Sequence, residues 1–138
     1  GFLDTSATHA TADTDRVIVE SGGSQLVLIK TVRNETQGTA EGQSNQAHPG
    51  DVLVYRITII NPSQRDATDV IIYDRTPPYS ALAEAVPSPV TLTPTLNCTV
   101  AQPTVNAAGY AGALQWDCTG VHQPGGEGSV TFKARITP

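Results

Sequence analysis

From Asp51 to Asn61 the chain reads DVLVYRITIIN. Alternation places Leu53, Tyr55, Ile57 and Ile59 on one face and Val54, Arg56, Thr58 and Ile60 on the other. A period of two with one wholly apolar face describes a half-buried antiparallel strand, because helical neighbours recur every 3–4 residues instead. His48-Pro49-Gly50-Asp51 comes just before, with Pro and Gly where a type II turn wants them. Asn61-Pro62-Ser63-Gln64 ends the segment, since proline has no N–H to give to a ladder.

Similar segments recur along the chain. RVIVE (16–20), a Ser-Gly-Gly turn and QLVLIKTVRN (25–34) are β-branched and too short or too alternating for helices, and a polar loop follows over 35–48. ATDVIIYD (67–74) directs Val70 and Ile72 inward and stops at Thr76-Pro77-Pro78, where Asp74 is expected to cap the turn. VTLTPTLNCTV (90–100) and ALQWDCT (113–119) read as one strand each. A second Pro-Gly turn at 123–127 launches GSVTFKARIT, in which Val130, Phe132, Ala134 and Ile136 share a face. SALAEAV (80–86) is the one stretch with helical propensity and, bounded by prolines, has room for one or two turns. About seven short strands with turns between them predict an all-β protein, an antiparallel β-sandwich. Its expected core is Leu53, Tyr55, Ile57, Ile59, Val70, Ile72, Trp116, Val130, Phe132 and Ile136.

Composition narrows the classes of function. With 138 residues the chain fits one ordinary domain, and its 15% charged content lies below the usual ~25%. Thirteen acidic residues oppose eight basic ones, for a net charge of −5, which argues against nucleic acid as a partner. No apolar run approaches the ~18–20 residues of a membrane span. Met is absent, so a processed chain that has lost a secretory leader is expected. The two cysteines, Cys98 and Cys118, lack the CxxC spacing of zinc or redox sites, and as a disulfide they close a loop worth ~3 kcal/mol.

Chemistry-bearing patterns are sparse. His9, His48 and His122 stand apart without metal-ligand spacing, and neither GxSxG nor a phosphate-binding glycine loop occurs. No enzyme and no cofactor is expected. Asp4/Asp13/Asp15 and Asp66/Asp69/Asp74 are oxygen-rich enough to consider for Ca²⁺, but read better as turn acids that start and stop strands. Among the aromatics, Trp116 shares its strand face with Cys118 and is expected to pack on the bridge. Tyr79 and Tyr110 fall in loops and are candidates for stacking on sugars. Asn34-Glu35-Thr36 and Asn97-Cys98-Thr99 are glycosylation sequons.

Several features in sequence order resemble the bacterial conserved-repeat surface domain known as domain of unknown function 11. They are Leu28-Ile29-Lys30-Thr31-Val32, Pro49-Gly50-Asp51, Tyr55 through Asn61, Val70 through Asp74 with Pro77, Trp116, and Pro124-Gly125 with Glu127. The resemblance implies an immunoglobulin-like sandwich in a prokaryotic surface protein, serving as a structural module and not as an enzyme.

Residues 1–24 lie outside that pattern and form an extended N-terminal arm, with the sandwich over 25–138. Small and β-branched groups in the arm suit a narrow groove at a sheet edge: Phe2, Leu3, Thr5, Ala7, Thr11, Ala12, Val17, Ile18 and Val19, with Gly22 and Gly23 as a hinge. The arm either folds onto its own sandwich as an edge strand or adds to a neighbouring subunit by head-to-tail β-augmentation, which propagates into a filament. The second course predicts a secreted or cell-surface homopolymer, with other surface proteins as further partners. An adhesin or carbohydrate-binding module and a passive spacer are the competing expectations.

Overall fold

The structure, a computed structural model, describes residues 17–23, 25–42 and 47–137. Nine strands follow in order: β1 (Ile18–Gly22), β2 (Val27–Asn34), β3 (Val52–Ile60), β4 (Ala67–Arg75), β5 (Ser80–Leu82), β6 (Val90–Thr93), β7 (Leu96–Gln102), β8 (Ala113–His122) and β9 (Glu127–Ile136). They build two antiparallel sheets, one of five strands in the order β1-β4-β8-β7-β6 and one of four in the order β2-β3-β9-β5. The described residues contain no helix.

β3 is the anchor of the four-stranded sheet. Tyr55 stands opposite Val32 on β2 and Phe132 on β9, so the apolar phases of three strands coincide. Leu53, Tyr55, Ile57, Ile59, Val70, Ile72, Trp116, Val130 and Phe132 are all buried, and Ile136 is partly so. Both Pro-Gly turns carry the expected hydrogen bond. Asp51 N donates to His48 O at 3.0 Å and Gly126 N to Gln123 O at 2.9 Å, with Gly50 and Gly125 at φ 89° and 75°.

Three strand assignments change. SALAEAV makes no helical turn: Ser80–Leu82 is β5, drawn onto the open side of β9, where Ala83 N continues the ladder to Lys133 O at 2.9 Å. Pairing with a sheet edge overrides weak propensity in a segment too short to nucleate a helix. The run 90–100 is a hairpin, because Pro94 interrupts the ladder and turns the chain so that Val90 faces Cys98. β8 continues past Thr119 to His122, through Gly120 at φ 88°. A Cβ at Gly120 would overlap the Thr95 carbonyl oxygen, so the strand passes this point only with glycine.

β4 contains a bulge at Thr68–Asp69, with Asp69 at φ 52°. The extra residue lets Ala67 and Val70 both face the core although they are three apart. Cys98 and Cys118 are direct partners on β7 and β8, with Cα atoms 3.9 Å apart, and form the disulfide. The bridge joins two neighbours in a single sheet, so it does not fasten one sheet to the other.

Candidate functional site

The interior holds polar groups at three levels, built from strand positions in the apolar phase and from residues just beyond the strand ends. At the first, Lys30 follows Leu28 on the inner face of β2, and Asp74 follows Val70 and Ile72 on β4. Lys30 Nζ lies 2.7 Å from Asp74 Oδ2 and 3.0 Å from Oδ1, an ion pair that crosses from one sheet to the other. The Asp74 side chain is 0% exposed and that of Lys30 15%. The ammonium sits over two rings, 5.0 Å from the centroid of Tyr55 and 5.9 Å from that of Phe132. Burial raises the Asp74 carboxyl above its ordinary pKa, and the Lys30 charge and hydrogen bond offset only part of that. Asp74 Oδ1 also accepts from the backbone N–H of Arg75 at 2.8 Å, so the expected cap of the Pro77 turn is instead the acid of an inter-sheet pair.

The second level closes one end of the sandwich. Asn34 is fully buried and its Nδ2 donates to Asp51 Oδ2 at 2.9 Å, joined there by Gln37 Nε2 at 3.2 Å and the His48 N–H at 3.0 Å. The Asn34 amide of the first sequon is therefore engaged inside the fold, whereas Asn97 of the second is exposed. These donors, Asn34 first, hold the Asp51 carboxyl at about 2. A depressed folded-state value stabilises the fold above the unfolded carboxyl value of ~3.9, and that contribution disappears as pH falls through about 2. Denaturant unfolding at pH steps across this window is expected to show a steeper acid loss in the parent than in Asp51→Asn. Equal slopes would contradict the assignment.

The third level lies at the opposite end. Asn61 Nδ2 donates to the carbonyls of Arg65 and His122, both at 2.7 Å, and its Oδ1 accepts from Ser63 N at 3.0 Å and Ser63 Oγ at 2.8 Å. His122 is fully buried, with Nε2 3.1 Å from the Ile59 carbonyl oxygen, so it is a core residue linking the two sheets.

The residues expected to carry function fall in different places. Phe2, Leu3, Thr5, Ala7, Thr11 and Ala12, with His9 and Asp4/Asp13/Asp15, lie outside the described residues. Val17 is buried, Ile18 is 46% exposed, and Ile18–Gly22 is β1, paired with β4 of its own chain through Ile18↔Tyr73 to Gly22↔Thr68. Gly22 is thus held in a ladder, and Gly23, at φ 88°, is packed so that a Cβ would sit 2.5 Å from the Asp66 carbonyl oxygen. Asp66, Asp69 and Asp74 do not converge, since the first two are exposed and the third points inward. Among the described residues no group of three His, Cys, Asp or Glu gathers.

The aromatics separate clearly. Trp116 is fully buried and tilted against Phe132 at 6.3 Å between centroids. Tyr110 packs partly against the core and donates its OH to Ala113 O at 2.8 Å, so its ring is committed. Tyr79 is 84% exposed at φ 60°, with its carbonyl accepting from Thr137 N and Oγ1.

The fold and its interior define a two-sheet β protein braced by buried polar pairs, stapled within one sheet by a disulfide. No family model, no curated protein and no solved structure matches the chain. The Lys30–Asp74 pair is what sequence reading missed. Its signal was a charged residue standing in the apolar phase on each of two strands, 44 positions apart.

Proposed function

We propose that this chain is a non-enzymatic structural subunit of an extracellular or cell-surface filament. In this reading it is an immunoglobulin-like sandwich of the conserved-repeat class, and the arm over residues 1–16 adds as a strand to the sheet edge of the next copy. The observation that carries the proposal is β1. The segment continuous with the arm lies at an outer edge of the five-stranded sheet, bonded to β4 alone among the described strands. Its first residue pairs with Tyr73 near the C-terminal end of β4, so the arm joins the body at one end of the sandwich. A strand delivered from that end to a second copy makes a heterologous contact, which repeats without closing.

Edge composition agrees with this reading. Proteins that stay monomeric place charges, lysine above all, on exposed edges. Here the edge strands β1, β5 and β6 contain no lysine or arginine, and on β2 Lys30 turns inward to Asp74, which leaves Arg33 as the cation exposed on that edge. A disulfide is in keeping with an oxidising, extracellular setting. No helix of the described residues is long and apolar enough to cross a membrane.

The test is deletion of residues 1–16, stopping short of buried Val17 so that the core stays covered. The shortened chain is expected to unfold at the same temperature as the parent and to elute as a monomer, while the parent assembles. Filaments of normal length from the shortened chain would overturn the proposal.

One observation favours a second reading. The exposed ring of Tyr79, held on a left-handed backbone position, is a platform on which a sugar could stack, as an adhesin would use it. Glycan-array binding by a monomer, lost in Tyr79→Ala, would support that reading over the first.

A further inference from the structure

We propose that Lys30 and Asp74 condense with each other to form a side-chain amide, so that the two sheets become covalently joined through the core. The disulfide lies within one sheet, and the amide would be the link between sheets. Four features of the site meet what the reaction demands.

The first is proximity. Nζ is within 3.0 Å of both oxygens of the carboxyl group, with Lys30 inside the regular β2–β3 ladder and Asp74 in the regular Ile71–Arg75 part of the β4–β8 ladder. Fixing two reacting groups in this way is worth an effective concentration on the order of 10⁵–10⁸ M. The second is protonation. An ammonium and a carboxylate do not condense; a neutral amine and a carboxylic acid do. Moving one proton from Nζ to Oδ2 converts the first pair into the second, and removes two opposite charges from a site where charge is poorly solvated. Burial favours the protonated form of Asp74 in the same direction.

The third feature is a donor for the developing charge. As the amine lone pair attacks Cγ, negative charge builds on Oδ1, which already accepts the Arg75 N–H at 2.8 Å. The Nζ–Cγ bond forms and the Cγ–Oδ2 bond breaks. Oδ2 leaves as water, carrying its own proton and one from the nitrogen, and Oδ1 remains as the amide oxygen on Arg75 N–H. No oxidant or second reactant is required. The fourth is exclusion of water, which would hydrolyse the product. The Asp74 side chain is 0% exposed, and the rings of Tyr55 and Phe132 cover the nitrogen.

A control is built into the same fold. Lys133 Nζ lies 2.9 Å from Glu35 Oε1, as close as the inner pair, but the two side chains are 32% and 40% exposed. With both charges solvated and water at hand, that pair is expected to remain an ion pair.

Intact-mass measurement of the full chain, reduced and denatured, is the test. The parent is expected as a single species about 18 Da below its sequence mass, the loss of one water. Lys30→Arg and Asp74→Ala are each expected at full sequence mass, even if they fold poorly, since the reading is made on denatured protein. Trypsin is expected to release from the parent a branched peptide in which residues 17–33 are joined to residues 66–75, with Lys30 uncleaved. A parent at full sequence mass would overturn the proposal. So would a loss of water that persists in Lys30→Arg, or one mapped to Lys133 and Glu35.

Discussion

Lys30→Met is expected to lower folding stability by about 3–5 kcal/mol at neutral pH, because it leaves the Asp74 carboxyl buried with no countercharge. The loss has a pH signature that simple cavity formation lacks. Burial already raises the Asp74 pKa, and removing the Lys30 contribution raises it further. An acid whose folded-state value lies above its unfolded value binds more protons when folded, so stability falls as pH rises from ~3.9 toward the folded value. The variant is therefore expected to be least impaired in acid and to weaken on the way to neutrality. Chemical denaturation of both proteins at a series of pH values measures this. The pH signature holds whether the parent carries an ion pair or an amide at this position, since Asp74 is a lone acid in the variant either way; the size of the loss and its recovery by Asp74→Leu are those of an ion-paired parent. Adding Asp74→Leu to Lys30→Met is expected to recover most of the loss, because a well-packed apolar pair avoids the desolvation cost of buried charge. A Lys30→Met protein with the parent's stability at every pH would contradict the placement of Asp74.

Phe132→Ala carries the second large effect, about 3–5 kcal/mol. Phe132 is fully buried on β9, stacks on Tyr55 of the same sheet at 5.0 Å with planes 14° apart, and meets Trp116 of the opposite sheet. It is therefore a ring on which both sheets rest, and neighbours on two sides limit how far the space can collapse. Thermal or denaturant unfolding is the check, with Phe132→Leu expected to fall between the parent and the alanine variant. A loss for alanine under ~1 kcal/mol would mean that the core is packed elsewhere.

The two variants differ in how far the sequence announces them: Phe132 is expected in the core from the alternation of β9, whereas the pairing of Lys30 with Asp74 is not. β3 and β9 were legible at once, because each keeps one phase for ten residues or so and each begins at a Pro-Gly turn. Pairing was not. Alternation says which residues face inward, but not which strand supplies their neighbours, so Lys30 and Asp74 could not be brought together from spacing alone. The hairpin at Pro94 and the strand at Ser80–Leu82 failed for related reasons. One depended on taking a proline in the strand seriously, and the other on an open ladder beside β9 that propensity does not record. The bulge in β4 hid the phase change between Ala67 and Val70.

Within the stretch 1–24 that composition sets apart as an arm, Val17 is buried and Ile18–Gly22 pairs with β4 of its own chain, the edge-strand course that the sequence left open for this segment. In the proposed filament, residues 1–16 would be the strand that is exchanged, with β1 as its root, which gives the deletion a defined end.

Sedimentation velocity of the full chain over a wide range of concentration distinguishes a polymerising subunit from a monomer. The fraction in large species is expected to grow with concentration, and the growth to be unbounded, without a preferred dimer or ring, as a head-to-tail contact requires. A single boundary at the mass of one 138-residue chain, unchanged across the whole range, would contradict it.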